Sequence, residues 1–291
     1  MTTNPWLLAI RPKTLPAAIA PVLMGTAMAF KDGGLHVVSA IFCLFAALFI
    51  QIGTNLANDY YDFKKGADAV DRIGPTRVTQ AGLIPPGLVR SACFLSFFLA
   101  GVCSIYLISR GGWPLVIIAV LSILSGFFYT AGPFPLGYLG LGEVFVFIFF
   151  GPVAVAGTYY VQALDLNAAI IVAGLGPGFL SAAILAINNL RDIDSDRRSG
   201  KKTLAVSFGR SFAMNEFLFF IFCATLTPVI VLLITMDYPY SLLACGVCFA
   251  SIPTIKTVLT RMDGPALNAA LAGTGKLLLL YSLLFSIGWM L

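Results

Sequence analysis

Seven of the 13 acidic residues in this chain fall in two short stretches: Asp59, Asp62, Asp68 and Asp71 in NDYYDFKKGADAVD, and Asp192, Asp194 and Asp196 in RDIDSD. On a helix running through the first, Asn55, Asn58, Asp59 and Asp62 stand at i, i+3, i+4 and i+7 and share one face. On a helix running through the second, Asn188, Arg191, Asp192, Ser195 and Asp196 also share a face, whereas Asp194 lies about 200° from Asp192 and points elsewhere. Carboxylates gathered face to face repel one another unless a cation lies between them. Mg²⁺ suits such a place, because it takes carboxylate oxygens and keeps positions for phosphate and water. Arg72, Arg77, Lys201 and Lys202 follow the two clusters and would grip an anion bridged to the metal. Metal, acid and base together point to a diphosphate.

The simpler alternative is a pair of solvated loops whose acids merely pair with neighbouring Lys and Arg. A repeated pattern argues against it. NLANDYYDFKKGAD and NNLRDIDSDRRSGKK each close an apolar segment and lead into a basic, Gly-containing loop. Duplication of a four-helix unit with one further helix added is one explanation.

The elements that must position these clusters belong in a bilayer. Of the 291 residues, 59% are hydrophobic and 11% charged, with a mean hydropathy of +0.93. Soluble domains carry about 25% charged residues, so an ordinary soluble enzyme, a disordered protein and a nucleic-acid binder are excluded. The net charge of +5 does not reopen the last class, since the basic residues do not lie on one soluble face. Spanning helices need about 20 apolar residues, and nine such segments are read at 15–31, 36–57, 88–109, 113–131, 141–161, 167–189, 212–235, 239–259 and 267–290. Pro16, Pro21, Pro114, Pro152, Pro177 and Pro228 predict kinks in them without requiring breaks. Fifteen Lys and Arg flank the segments on one side, against Lys31 and Arg110 on the other. By the positive-inside rule the N-terminus and both acidic loops are cytoplasmic, on a multi-pass protein of the inner membrane with a single domain over 1–291. The N-terminal stretch lacks the pattern of a cleaved signal peptide.

Other chemistry is thin. His36 is the lone histidine, which excludes His-based zinc sites and Ser-His-Asp catalysis. The six cysteines are scattered through apolar runs, and Cys245 with Cys248 reads as packing rather than redox. A metal here must be held by oxygen.

A diphosphate bound at the mouth of a helical bundle implies a substrate whose other end is membrane-soluble, and polyprenyl diphosphates fit. Phe127, Phe128, Tyr129, Tyr159 and Tyr160 could face an allylic cation, although aromatic rings in membrane helices also serve as packing and interfacial anchors. A transporter is the rival from another class, and Glu143 and Lys276 are the charges it would use; Lys276 more simply snorkels. Transporters place charge near the midplane, whereas these carboxylates gather at one surface.

NDYYDFKKGAD and DIDSD resemble the two Asp-rich motifs of the intramembrane aromatic prenyltransferases, the UbiA superfamily. RPKTLPAAIAPVLMGTA (11–27), NDYYDFKKGADAVDRIGPTRVTQAGLIPP (58–86), YTAGPFPLGYLGLGEV (129–144) and RDIDSDRRSGKKTLAVSFGR (191–210) are most similar to its 1,4-dihydroxy-2-naphthoate polyprenyltransferases. The resemblance implies an all-α fold of about nine transmembrane helices around a central cavity. Against the pattern NDxxDxxxD, Asn58, Asp59 and Asp62 match, Gly66 takes the last position and Asp68 is its substitute; Asp192 and Asp196 match DxxxD. It implies Asn58, Asp59, Asp62, Asp68, Asp192 and Asp196 around two Mg²⁺ ions, with Asp62, Asp192 and Asp196 central to catalysis. Arg72, Arg77, Lys201 and Lys202 would hold the diphosphate. Arg11, Lys13 and Tyr129 are candidates for the aromatic acid, Arg11 and Lys13 being equally plain as interfacial anchors. The implied reaction is metal-assisted ionisation of a polyprenyl diphosphate, attack by 1,4-dihydroxy-2-naphthoate and loss of CO₂, in menaquinone synthesis. Other acceptors for the same site are 4-hydroxybenzoate and homogentisate, and phytyl transfer to naphthoate is a further variant.

Overall fold

A computed structural model describes residues 4–66, 74 and 76–291. Asp68, Asp71 and Arg72 lie outside the described residues. The chain enters through a short helix α1 (Pro5–Ile10), capped by Asn4, whose Oδ1 accepts from the Trp6 amide at 3.0 Å. Arg11 then turns into the left-handed region (φ 56°), a 3₁₀ turn follows at Pro12–Thr14, and α2 (Pro16–Lys31) leaves at a bend of 49°.

Helix α3 (Val37–Lys64) has 28 residues, about 42 Å at 1.5 Å per residue. A hydrocarbon core is about 30 Å thick, so the helix is longer than one crossing needs, and its last turns carry Asn58, Asp59 and Asp62. Helix α4 (Pro86–Gly111) returns and α5 (Trp113–Phe128) follows after Gly112, whose φ of 72° suits glycine. The next two spans are interrupted: α6 (Gly142–Phe150) with α7 (Pro152–Ala163), and α8 (Ala168–Ala173) with α9 (Leu175–Arg191). Short helices α10 (Ile193–Arg198) and α11 (Leu204–Phe208) lead into α12 (Arg210–Thr235). A 3₁₀ stretch at Pro239–Gly246 opens the span completed by α13 (Val247–Thr260), and α14 (Gly264–Met290) closes the chain.

Among the described residues, seven spans are long and apolar enough to cross a bilayer, and the bent pair at the N-terminus makes eight. Each of the nine expected segments falls on one of these elements, with the 16-residue α5 the short one, so nine is approximate as a count of full crossings. The fold is all-helical among the described residues. Large apolar side chains such as Phe98, Ile105, Phe222 and Leu233 are exposed all around the bundle, as an integral membrane protein requires and a soluble one does not tolerate.

The expected irregularities are one-residue interruptions at two places, each within a span that remains continuous. Gly151 (φ −116°, ψ −109°) parts α6 from α7, and Gly174 parts α8 from α9. The two interruptions cross each other. A Cβ on Gly151 would lie 2.6 Å from the Cα of Gly178 and 2.7 Å from the carbonyl oxygen of Gly174, so only bare backbone fits. Close approach through small residues is how membrane helices gain packing contacts without a hydrophobic drive. Ala182, Ala183 and Ala186 continue the small-residue face of α9, against a core with Met24, Phe217, Tyr281 and Phe285. The most extensive helix pairings are α3 with α4 and α9 with α12. These are equivalent partners if the chain is a duplicated four-helix unit.

The glycine crossing yields a stability test. In Gly178→Ala the new Cβ would sit 2.6 Å from the Phe147 carbonyl oxygen, and overpacking of this kind costs about 1–3 kcal/mol. Gly101→Ala on α4 meets no atom within 4 Å and should be neutral or slightly stabilising. Thermal denaturation in detergent should lower the midpoint for the first variant only.

Candidate active site

The ends of α3 and α9 meet at the mouth of a cavity of about 340 Å³. Asp62, 2% exposed, is held from three directions. The Tyr138 hydroxyl donates to its Oδ1 at 2.8 Å, Arg77 Nη2 donates to Oδ2 at 2.9 Å, and Lys201 Nζ reaches the same oxygen at 3.3 Å. Lys201 also lies 3.5 Å from Asp196 Oδ1, so one ammonium bridges the two acidic clusters. Lys65 and Lys201 stand over the Tyr138 ring, 4.5 and 4.9 Å from its centre. Lys65 donates to the Thr130 carbonyl at 2.8 Å; partial burial lowers its pKa, Asp62 opposes the shift and Lys201 adds to it. Thr130 in turn donates its hydroxyl to Asn58 Oδ1.

Asp59 is held by backbone amides. Its carboxylate, 1% exposed, accepts from the Val78 amide at 3.0 Å and the Thr79 amide at 2.9 Å. These bonds pin the returning loop to α3 one residue beyond Arg77, which is what aims the guanidinium at Asp62. Asp59 is therefore not among the cavity-lining side chains, although it shares the sequence face of Asn55, Asn58 and Asp62, which are.

Asp192 closes α9 and opens α10, and the turn continues through the Asp196 amide to the Asp192 carbonyl at 2.8 Å. Both Asp192 and Asp196 line the cavity. Arg191 clasps Asp192 with Nε and Nη2 at 2.8 and 2.6 Å, and is itself anchored on Asn188 at 2.8 Å and on Asn268 of α14 at 2.7 Å. Asp194 turns outward as its 200° offset requires; its side chain is 63% exposed and pairs with Arg210 at 2.7 Å.

The connector between α5 and α6 completes the mouth. The Lys202 amide donates to the Tyr138 carbonyl at 2.9 Å, and a Cβ on Gly140, whose φ is +75°, would fall 2.8 Å from the Lys202 carbonyl oxygen. The two loops are thus locked together. The side chains of Lys202 and Lys13 are exposed and do not line the cavity, whereas Arg11 and Tyr129 do. Asn55 donates to the Ile10 carbonyl at 2.9 Å and to Thr14 Oγ1 at 3.0 Å, and Gln51 donates to Thr14 at 3.1 Å, which fixes the Arg11 turn beside α3. Lys276 is exposed on α14 and does not reach the cavity.

Sequence reasoning missed Tyr138, Thr130 and Asn189. Tyr138 lies in the uncharged connector 132–140, where a charge count does not reveal a tyrosine hydroxyl. Asn189 was within reach, because it stands at i, i+3 and i+7 with Asp192 and Asp196. No ready-made group of three His, Cys, Asp or Glu side chains occurs among the described residues. Instead, an ammonium lies between Asp62 and Asp196, in the position a bridging cation would take. The donors at the mouth are hard oxygens throughout, which suits Mg²⁺.

The model of the UbiA prenyltransferase family matches residues 18–283. The chain is 36% identical to the 1,4-dihydroxy-2-naphthoate octaprenyltransferase of Escherichia coli K12, over 98% of this chain and 95% of that one. It is 41% identical to the protein of that name from Mycobacterium tuberculosis, over 70% of each. Its fold is similar to that of a UbiA homolog from Archaeoglobus fulgidus bound to GPP and Mg²⁺, with a TM-score of 0.67, 16% identity and coverage of 98% and 99%. The chain belongs to the UbiA prenyltransferase family and is an integral membrane prenyltransferase.

The separate task of Asp59 can be measured. Leaving a buried backbone donor unpaired costs about 1–3 kcal/mol, so Asp59→Ala, which strands two, should lose roughly 2 kcal/mol or more. Exposed pairs contribute about 0–1 kcal/mol, and Asp194→Ala should be close to neutral. Hydrogen exchange at Val78 and Thr79 should accelerate in the first variant alone.

Proposed function

We propose that this chain transfers a polyprenyl group from its diphosphate to 1,4-dihydroxy-2-naphthoate with loss of CO₂, a step of menaquinone biosynthesis. The observation that carries the proposal is the meeting of Asp62, Asp192 and Asp196 with Arg77 and Lys201 at the mouth of a cavity whose deeper wall is largely apolar. A charged head and an apolar tail are thereby served at opposite ends of one space. The names of the relatives support the naphthoate as acceptor. We place the protein in the inner membrane as a single domain over 1–291, with the mouth of the cavity on the cytoplasmic side, from the distribution of Lys and Arg.

Asp62, Asp192 and Asp196, with Asn58 beside them, would hold two Mg²⁺ ions, which supply Lewis-acid stabilisation of the charge that develops on the leaving diphosphate. The neighbouring Asp-motif residues Asp59 and Asp68 divide in this reading. Asp59 builds the loop, and Asp68 retains the ligand role its sequence position gives it. Arg77 and Lys201 neutralise diphosphate oxygens from the protein side; Arg72 adds to them by its place in the same loop, and Lys202 acts through its backbone bond to Tyr138. Such preorganised charge is the largest catalytic contribution in reactions of this kind. As the carbon–oxygen bond to diphosphate breaks, the ring carbon bearing the carboxylate forms the new carbon–carbon bond. The carboxylate then leaves as CO₂ and its electron pair returns to the ring. Arg11 lines the cavity where it can face that carboxylate, and Tyr129 presents a ring to the allylic cation.

Chelation of divalent metal is expected to abolish turnover by the purified protein. Asp62→Ala and Asp192→Ala should each lower kcat at least about 100-fold, the scale of losing an electrostatic stabiliser, while Asp194→Ala should stay within a few-fold. In an acceptor panel with Mg²⁺ and a polyprenyl diphosphate, carboxyl-labelled 1,4-dihydroxy-2-naphthoate should release labelled CO₂. Transfer only to 4-hydroxybenzoate, with its carboxyl retained, would overturn the naphthoate assignment and leave the diphosphate site standing.

A further inference from the structure

Glu143 has no part in the diphosphate site, yet it is 3% exposed in an apolar bundle. It stands in the first turn of α6, just after the connector that carries Tyr138. Its Oε1 accepts from Asn189 Nδ2 at 2.6 Å, and its Oε2 is buried without a partner. Asn189 lines the cavity on α9, three residues or about 4.5 Å deeper than Asp192, on the face that carries Asp192 and Asp196. Asn189 turns its nitrogen to Glu143 and its carbonyl oxygen away from it, the orientation that an ionised carboxylate enforces because it can only accept. Among the described residues no hydrogen bond to that oxygen is found, and Asn189 is one of the side chains that line the cavity. Tyr129 forms the adjoining wall; its hydroxyl packs over Gly142, where a Cβ would stand 2.9 Å away.

We propose that Glu143 is a positioning residue for the aromatic acceptor: it locks the Asn189 amide with its carbonyl oxygen facing the cavity, where that oxygen accepts a hydrogen bond from a ring hydroxyl. The inference rests on the reading that the acceptor is a hydroxylated aromatic. Two features make the placement chemically apt. The oxygen lies about one helical turn inside the carboxylates that face the diphosphate, which is where a ring must lie to meet the allylic carbon. A hydrogen bond accepted from a ring hydroxyl also raises electron density on the ring carbon that attacks, and it is stronger in a low-dielectric cavity than in water. If Asn189 only satisfied a buried acid, removing Glu143 would disturb stability and both substrates alike.

The experiment compares wild type with Glu143→Leu, Glu143→Gln and Asn189→Leu in detergent. Acceptor recognition is read as affinity for 1,4-dihydroxy-2-naphthoate relative to its dimethyl ether, added as a competing ligand that has no ring hydroxyl to donate. One net hydrogen bond corresponds to about tenfold, so wild type should favour the dihydroxy compound by about that factor. Glu143→Leu and Asn189→Leu should reduce the preference to within about twofold, with KM for the polyprenyl diphosphate changed less than about twofold. Glu143→Gln should keep most of it, because a glutamine carbonyl still accepts from Asn189. Should Glu143→Leu fail to fold, by its thermal midpoint, Asn189→Leu carries the comparison. A preference that survives in the Leu variants, or a parallel rise in KM for both substrates, would overturn the inference while the proposed reaction stands. A wild-type protein that prenylates no hydroxylated aromatic would overturn that reaction and this inference with it.

Discussion

The contact on which the mouth of this protein depends is the one between Asp62 and Lys201, because it joins the end of α3 to the loop after α10 across the cavity. A buried ion pair gives little net stability by itself, since desolvating two charges offsets most of their attraction. Its value lies in specificity. Asp62 can remain buried only if its donors all arrive, and they come from three different segments: Arg77 from the loop after α3, Tyr138 from the connector before α6, and Lys201 from the second motif. Removing one partner from such a set leaves an uncompensated charge, a loss of about 3–5 kcal/mol. The loops therefore have one low-energy arrangement, and that arrangement is the site.

Around that contact the carboxylates divide their work according to what the backbone leaves within reach. Asp59 and Asp62 are one helical turn apart and chemically alike, yet Asp59 meets the free amides of Val78 and Thr79 while Asp62 meets side-chain cations. The first holds the loop, and the loop delivers Arg77 to the second. The second motif repeats the logic with different parts. Arg191 clasps Asp192 and is itself tied to Asn268, so the last helix of the chain braces the carboxylate.

Much of this was legible in the sequence, for reasons that can be stated. Hydropathy located the spans because a bilayer imposes length and apolarity together. The 3.6-residue period separated Asp194 from Asp192 and Asp196 because both motifs continue helices. The crossing at Gly151 and Gly174 was not legible, because glycine and proline are common throughout membrane helices, and the need for bare backbone arises only where two spans approach closely. The resemblance to the family motif implied a metal role for Asp59; the amides it meets lie 19 and 20 residues further on, in a loop whose fold no local pattern reveals. Tyr138 escaped because a neutral hydroxyl leaves no mark on a charge count, although it donates as well as a cation does at 2.8 Å.

The first acidic cluster lies at a helix C-terminus, the end of α3, whereas the second spans the junction where α9 ends at Asp192 and α10 begins, with Asp194 and Asp196 in the first turn of α10. This has a physical consequence for the chemistry. Many phosphate sites use a helix N-terminus, where free amides and the positive end of the macrodipole favour an anion. A helix C-terminus offers free carbonyl groups and about half a negative charge, and at the end of α3 Asp59 and Asp62 add carboxylates to it. Such a place repels a diphosphate unless cations outnumber the acids locally. The basic loops follow from that constraint, since Arg77 and Lys201 must stand within reach of the carboxylates for the mouth to hold together before substrate arrives. The same constraint explains why oxygen-rich helix ends suit a divalent ion. In the proposed reading, the field that disfavours a bare diphosphate would favour a divalent ion held by Asp62, Asp192 and Asp196, which would offset the charge of the diphosphate while its apolar tail followed the cavity between the helices.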